Sequence, residues 1–247
     1  METPLRTTTL RAVLDEAKRR LNVHVSAAID AEILLAYVLD TARSYLHAWP
    51  ERNLDALQLT QFNALIERRL RGEPVAYLTG VRGFWSLELR VTKDTLIPRP
   101  ETELLVELAL QRIPPHAAWS IADLGTGSGA IALAIAHERP RCKIVATDHS
   151  PAALKIAHAN AERLSIHNIE FRLGSDDWFA PLQNESFDMI VSNPPYMRSD
   201  DPHLQDLRFE PELALVAGAD GLRHLRAIAE RSREHFTLIP SPLPGEG

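Results

Sequence analysis

The sequence predicts an α/β protein: a parallel sheet wound by helices, preceded by a small all-helical domain and a linking β-hairpin. Three observations carry this. Apolar residues recur at three-and-four spacing from Leu10 to Gly72. The pattern then changes to alternation between Tyr77 and Leu96. From Trp119 onward, short apolar strands alternate with helical stretches, the signature of a parallel sheet with right-handed crossovers.

In the first region, Leu10, Val13, Leu14, Ala17 and Leu21 share one helix face. Ser26 precedes a second run with Ile29, Ile33, Leu34, Tyr37 and Val38, and a third holds Leu59, Phe62, Leu65, Ile66 and Leu70. Gly72, with Pro74 after it, is a helix stop. Gly80 and Gly83 then open the segment Phe84–Val91, which alternates from Leu87. Lys93-Asp94 breaks it before Leu96-Ile97, and the segment reads as a hairpin joining two domains. Beyond it, strands are expected at 121–124, 143–148, 169–173 and 187–192. Helices are expected at 130–137 and, opened by Pro151, through Leu164. In such sheets a ligand lies beyond the C-terminal strand ends, and every motif below falls at one.

Composition narrows the possibilities. The chain has 247 residues, 45% hydrophobic and 24% charged, within the ordinary globular range. A net charge of −6 gives no global field drawing it to nucleic acid or to an anionic membrane. The lone Cys142 supports neither an internal disulfide nor a paired-cysteine zinc site, and the ten histidines show no metal-binding spacing, so no metal is expected. Neither a secretory signal nor an apolar run of ~20 residues is visible. A soluble cytoplasmic monomer is expected, without membrane contact.

Asp123-Leu124-Gly125-Thr126-Gly127-Ser128-Gly129-Ala130 follows a strand and opens a helix. Its glycines let the backbone turn tightly and approach a ligand. Asp148 ends the next strand, nineteen residues after Gly129, where a carboxylate can accept from both hydroxyls of a ribose. The turn fits NAD as well as S-adenosylmethionine. Two details favour the latter: Asp123 is spaced to meet a positively charged methionine end, and Gly129 completes a compact Gly-x-Gly-x-Gly form. After the third strand, Asp177 could accept from an adenine amine and Trp178 could cover the ring, although a tryptophan is as readily a core anchor.

Asn193-Pro194-Pro195-Tyr196 ends the fourth strand and narrows the chemistry. The lone pair of an amide or aromatic amine is delocalised, so methylating it requires acceptors for both N–H groups and in-line alignment with the methyl. The Asn193 side-chain oxygen and the Pro194 carbonyl supply two acceptors. The prolines fix φ and remove competing donors, and Tyr196 offers a flat wall. Glutamine and adenine both present such an amino group.

These elements together resemble the PrmC/HemK family of protein-(glutamine) methyltransferases. So does the string Leu96-Ile97-Pro98-Arg99-Pro100-Glu101-Thr102-Glu103, with Gly80–Trp85, Glu210-Pro211 and Gly218–Leu222. The resemblance runs from the N-terminal helices to about Ile228. It implies a Rossmann-like S-adenosylmethionine-dependent methyltransferase sheet, and methylation of the glutamine in the Gly-Gly-Gln tripeptide of peptide-chain release factors. By the same resemblance Gly125, Thr126, Gly127, Ser128, Gly129, Asp148, Trp178 and Asn193 bind the cofactor, while Asn193, Pro194, Pro195 and Tyr196 hold the glutamine. Pro98–Glu103 should lie near the cofactor. The expected organisation is a substrate-docking helical domain over 1–76, a hairpin over 77–98, a methyltransferase domain over 99–234 and a disordered tail over 235–247.

Three rivals are weighed. An adenine-amino methyltransferase would need a basic groove for a nucleic-acid strand, against the acidic balance. A nicotinamide dehydrogenase leaves Asn193–Tyr196 unexplained. An inactive protein on a methyltransferase fold gains from the C-terminus, where three prolines and two glycines in the last eight residues cannot form a sheet strand. The reading of that end is a truncated chain lacking the last strands of its sheet.

Overall fold

The computed structural model describes residues 8–237, in two compact units that divide after Gly80. The first contains α1 (Leu10–Arg20), α2 (Ala27–Val38), α3 (Arg43–Ala48), α4 (Ala56–Leu70) and α5 (Val75–Thr79). Thr9 starts α1 by accepting from the Ala12 N–H at 3.3 Å, and Asp55 with Gln58 forms a capping box for α4. Leu10, Leu14, Leu21, Leu34, Leu35, Phe62 and Ile66 close on one core. Gly72, at φ 94°, ends α4, and Pro74 then caps the short α5, which the sequence pattern does not reveal. The expected apolar face of α2 is corrected. Ile29 and Tyr37 are about half exposed, while Asp30 and Glu32 turn inward. Arg69 donates to Asp30 at 2.8 Å and Arg43 to Glu32 at 2.7 Å, so the inward charges are neutralised.

The second unit opens with β1 (Val81–Phe84) and β2 (Leu87–Arg90), an antiparallel pair. The hairpin lies earlier than the Lys93-Asp94 break suggests, because Trp85, at φ 55°, already turns the chain. A helix that apolar spacing did not reveal, α6 (Glu103–Arg112), follows. Then β3 (Ser120–Leu124), α7 (Ala130–Glu138), β4 (Lys143–Asp148), α8 (Pro151–Arg163), β5 (Ile169–Leu173) and β6 (Met189–Ser192) alternate as expected, and α9 (Arg223–Ser232) comes last. The four strands β3–β6 are parallel, in the order β5-β4-β3-β6. Side chains alternate across the sheet: Ile121, Ile144 and Ala146 pack with α6 and α7, while Ala122, Leu124 and Val145 pack with Phe179, Leu182 and Phe187.

β6 begins two residues later than expected because Phe187 pairs elsewhere. Its N–H donates to the His235 carbonyl at 2.8 Å, and its own carbonyl accepts from Thr237 at 3.1 Å, in a parallel bridge to Phe236. The expected tail is therefore corrected at its start. His235 is buried, stacked on Phe179 at 4.6 Å between ring centroids, and 236–237 lie along the sheet edge. The rest of that tail, 238–247, lies outside the described residues.

Two buried polar side chains tie the loops of this unit together. Asn160, fully buried on α8, donates to the carbonyls of Arg90 at 3.0 Å and Ser128 at 2.9 Å, and accepts from the Arg90 N–H at 2.7 Å. It clips the hairpin to the glycine-rich turn. Asp123, fully buried beneath that turn, accepts from the Thr126 hydroxyl at 2.6 Å and the Ala132 N–H at 3.2 Å; its other oxygen has no hydrogen-bond partner. Asp123, expected to meet a ligand, is fully buried and does not line the cavity above the turn. Burial pushes its carboxyl from an ordinary 3.8 up to about 7.

Replacing Asn160 with alanine would leave three backbone groups without their partner, at a cost of about 2–3 kcal/mol; the urea midpoint reports it. For Asp123 the folded state retains a proton that the unfolded chain releases above 3.8, so this stabilisation is complete at low pH and is lost as pH rises through about 7. Asp123→Asn carries no such charge. The stability of the wild type should therefore fall relative to this variant between about pH 4 and 7, and a constant difference over that range would show that Asp123 is ionised throughout.

Candidate functional site

The site lies at the C-terminal ends of β3, β4 and β6, where strand order departs to either side of β3. The turn between β3 and α7 is anchored by the Gly125 and Thr126 N–H groups, both donating to the Thr147 carbonyl at 2.9 Å. Gly129, at φ 86°, closes it where a β-carbon would stand 2.8 Å from Leu133 Cδ1, so any other residue there would be strained. A cavity of about 430 Å³ opens above the turn, within the range of small-molecule sites.

Most residues singled out from the sequence meet on this cavity. Gly125, Thr126, Gly127, Ser128, Asp148, Trp178, Asn193 and Pro195 line it. Asp148 accepts from the Gly127 N–H at 2.7 Å and the Ser150 N–H at 2.8 Å, which hold its carboxylate at the cavity wall. Burial raises its pKa, and these two donors oppose the rise. The Trp178 indole lies over the turn, 3.1 Å from where a Gly125 β-carbon would be. Gly129 supports the turn from below and does not line the cavity.

Asp177, expected to contact the ligand, does not line this cavity. Its carboxylate is taken by Arg231 of α9 and by the Phe179 N–H at 3.0 Å, and Arg231 holds it below its ordinary pKa. Its neighbour Asp176 lines the cavity in its place. Strand-end position alone does not tell two adjacent acids apart; the cation from a distant helix does.

Asn193 is held by its strand and by a loop beyond it. The Ser192 hydroxyl donates to the Leu124 carbonyl at 2.7 Å, locking β6 to β3 just before Asn193. Beyond Tyr196, Met197 pairs with Val216: its N–H donates to the Leu215 carbonyl at 2.9 Å and its carbonyl accepts from Ala217 at 2.8 Å. Gly221, at φ 74°, fits against this loop because a β-carbon there would lie 2.5 Å from the Tyr196 carbonyl oxygen. Pro194 is buried and Tyr196 is 61% exposed. The Asn193 Nδ2 donates to the Thr102 hydroxyl at 3.3 Å.

A second cavity, of about 240 Å³, is lined by Arg99, Glu101, Thr102, Leu105, Asn193 and Tyr196. Arg99, Thr102 and Asn193 belong to both cavities and form the partition between them. This gives the Leu96–Glu103 string separate tasks. The Ile97 N–H and the Arg99 guanidinium both bond Glu210, at 3.0 and 2.5 Å, and Glu103 accepts from the Trp85 N–H at 2.8 Å.

Sequence reasoning missed His224 on α9, which accepts from the Trp178 indole N–H at 3.3 Å with the rings edge to face at 5.4 Å. Burial and Arg223 keep its pKa low, in keeping with a ring nitrogen that accepts. It also missed Lys93 and Leu213 on the cavity wall. Glu210-Pro211 and the Gly218–Leu222 stretch are the sequence signals nearest to this region. Among the described residues no group of three or more His, Cys, Asp or Glu side chains could hold a metal, and no helix is long and apolar enough to cross a membrane.

Known proteins of similar sequence identify the family. Residues 12–80 match the PrmC N-terminal domain and 101–207 the methyltransferase small domain. The release factor glutamine methyltransferase of Aliivibrio fischeri is 52% identical over 214 residues, covering 85% of this chain and 74% of that protein. The protein of the same name from Salmonella typhimurium is 50% identical over 226 residues, covering 91% and 80%, and that from Escherichia coli is 51% identical over 222 residues, covering 89% and 79%. With both domains matched in order and half the residues identical across most of its length, the chain belongs to the release factor glutamine methyltransferase family.

Proposed function

We propose that this chain transfers a methyl group from S-adenosylmethionine to the side-chain amide nitrogen of the glutamine in the Gly-Gly-Gln motif of peptide-chain release factors, the proteins of translation termination. The observation that carries the reading is Asn193 on the wall common to both cavities, where a group entering from the outer one meets a ligand in the inner one. The inner cavity suits the cofactor. Nothing lies within 4 Å of a β-carbon position at Gly127, so the backbone can lie against a ligand, and Asp148 stands beside it as an acceptor for ribose hydroxyls. Trp178, pinned by His224, offers its ring to an adenine.

When bound, S-adenosylmethionine supplies a methyl on a sulfonium, whose leaving group is a neutral thioether. The protein's task is then alignment. With Nδ2 engaged by Thr102, the Asn193 Oδ1 is left to accept one N–H of the substrate amide, and the Pro194 carbonyl accepts the other. The two prolines hold both acceptors rigidly. Tyr196 provides a flat wall at the mouth of the outer cavity. No base has to remove a proton before transfer, because in-line approach at ~3–3.5 Å supplies most of what remains.

In this reading the helical unit helps dock the release factor, and the chain acts as a cytoplasmic monomer that binds no nucleic acid directly. Labelled S-adenosylmethionine should methylate a release factor, leave its Gln→Ala variant unlabelled and leave DNA unlabelled. Label on DNA, or label indifferent to the glutamine change, would overturn the assignment. Asn193→Ala should lower the transfer rate by at least ~100-fold with cofactor affinity changed little; single-turnover kinetics and calorimetry separate the two.

A further inference from the structure

We propose that Arg99, held by Glu210, binds the side-chain carbonyl oxygen of the incoming glutamine and is a substrate-recognition residue of this site. The inference rests on the glutamine reading above. A primary amide brings two kinds of polar group into a cavity: N–H donors, for which Asn193 and Pro194 supply acceptors, and a carbonyl oxygen, which needs a donor of its own once it leaves water. Four side chains on the outer cavity carry donors, and Asn193 already gives one N–H to Thr102. The Thr102 hydroxyl accepts from Asn193 and keeps its own O–H to give, but it is a neutral donor. Tyr196 is 61% exposed and stands at the mouth. Arg99 belongs to the partition itself, beside Asn193, and is the one cation on that cavity among the described residues.

Its fixation supports the role. Glu210 is almost fully buried, with its side chain 3% exposed. One of its oxygens accepts from the Ile97 N–H and the other from Arg99 Nη2, so a single carboxylate fixes both the strand of chain leading to Arg99 and the guanidinium. A guanidinium carries five N–H donors in a rigid fork, and those not given to Glu210 remain for a ligand at the partition. Glu210 is thus a positioning residue, acting through Arg99. A hydrogen bond from a charged donor to a desolvated carbonyl discriminates strongly against a group lacking that oxygen.

The test uses the full chain saturated with S-adenosylhomocysteine. Binding of a Gly-Gly-Gln peptide and of the same peptide with norleucine for glutamine is measured by calorimetry on wild type, Arg99→Met, Arg99→Lys and Glu210→Gln, each first checked for a cooperative melt. In the wild type glutamine should bind at least ~10-fold tighter than norleucine. That preference should shrink several-fold in Arg99→Met and Glu210→Gln, and partially in Arg99→Lys, which retains the charge opposite Glu210 and keeps the test available if the methionine variant does not fold. An unchanged preference in all folded variants would overturn the inference. A second arm measures S-adenosylmethionine against its decarboxylated analogue. If the Arg99 variants lose cofactor affinity, and lose it only where the carboxylate is present, the guanidinium serves the cofactor and the inference falls. Failure of the glutamine reading itself shows separately, as absent methyl transfer to the release factor by the wild type.

Discussion

Ser192 stands opposite Leu124 in the parallel ladder of β3 and β6, and its hydroxyl donates to the Leu124 carbonyl. That pairing sets the distance between two loops far apart in the chain: the glycine-rich turn after Leu124 and the Asn193 tetrapeptide after Ser192. A parallel register cannot slip by one residue without turning every side chain of β6 to the opposite face of the sheet. Met189 and Val191 packed on one face, and Ile190 on the other, make such a slip costly. The inner cavity exists because this register is fixed.

Loops at strand ends leave backbone groups without ladder partners, and this structure satisfies them with a few buried polar side chains. Asn160 serves Arg90 and Ser128, Glu210 serves Ile97 and Arg99, and Asp148 serves Gly127 and Ser150. Asn160 and Glu210 do so across long stretches of sequence, and Asp148 between the glycine-rich turn and the start of α8. The same burial that makes these groups effective shifts their titration: Asp123 and Asp148 both rise because water is excluded from them. Stability and site geometry therefore depend on the same side chains.

Much of this was legible beforehand, for physical reasons that differ by element. Strands β3 to β5 and helices α7 and α8 follow from apolar runs broken by glycine and opened by Pro151, which are local signals. Helix α6 escaped because it begins inside the Pro98–Glu103 string, whose residues read as a motif rather than as a helix start. The inward face of α2 was misjudged because Asp30 and Glu32 are buried against arginines that only the folded bundle brings near. Strand-end position points Asp177 at a ligand, whereas the fold pairs it with Arg231, 54 residues away.

The sequence alone determined the fold class, the alternation of strands and helices from β3 to β6, and the chemistry that Asn193-Pro194-Pro195-Tyr196 can perform beside a glycine-rich turn. These depend on backbone preferences and side-chain types, which are written residue by residue. The tertiary structure decided which acid faces the cavity, that Asp123 is buried beneath the turn, and that Arg99 and Thr102 join Asn193 in the partition between two cavities. Such relations arise from contacts between segments distant in the chain, and neither periodicity nor spacing encodes a distance across the fold.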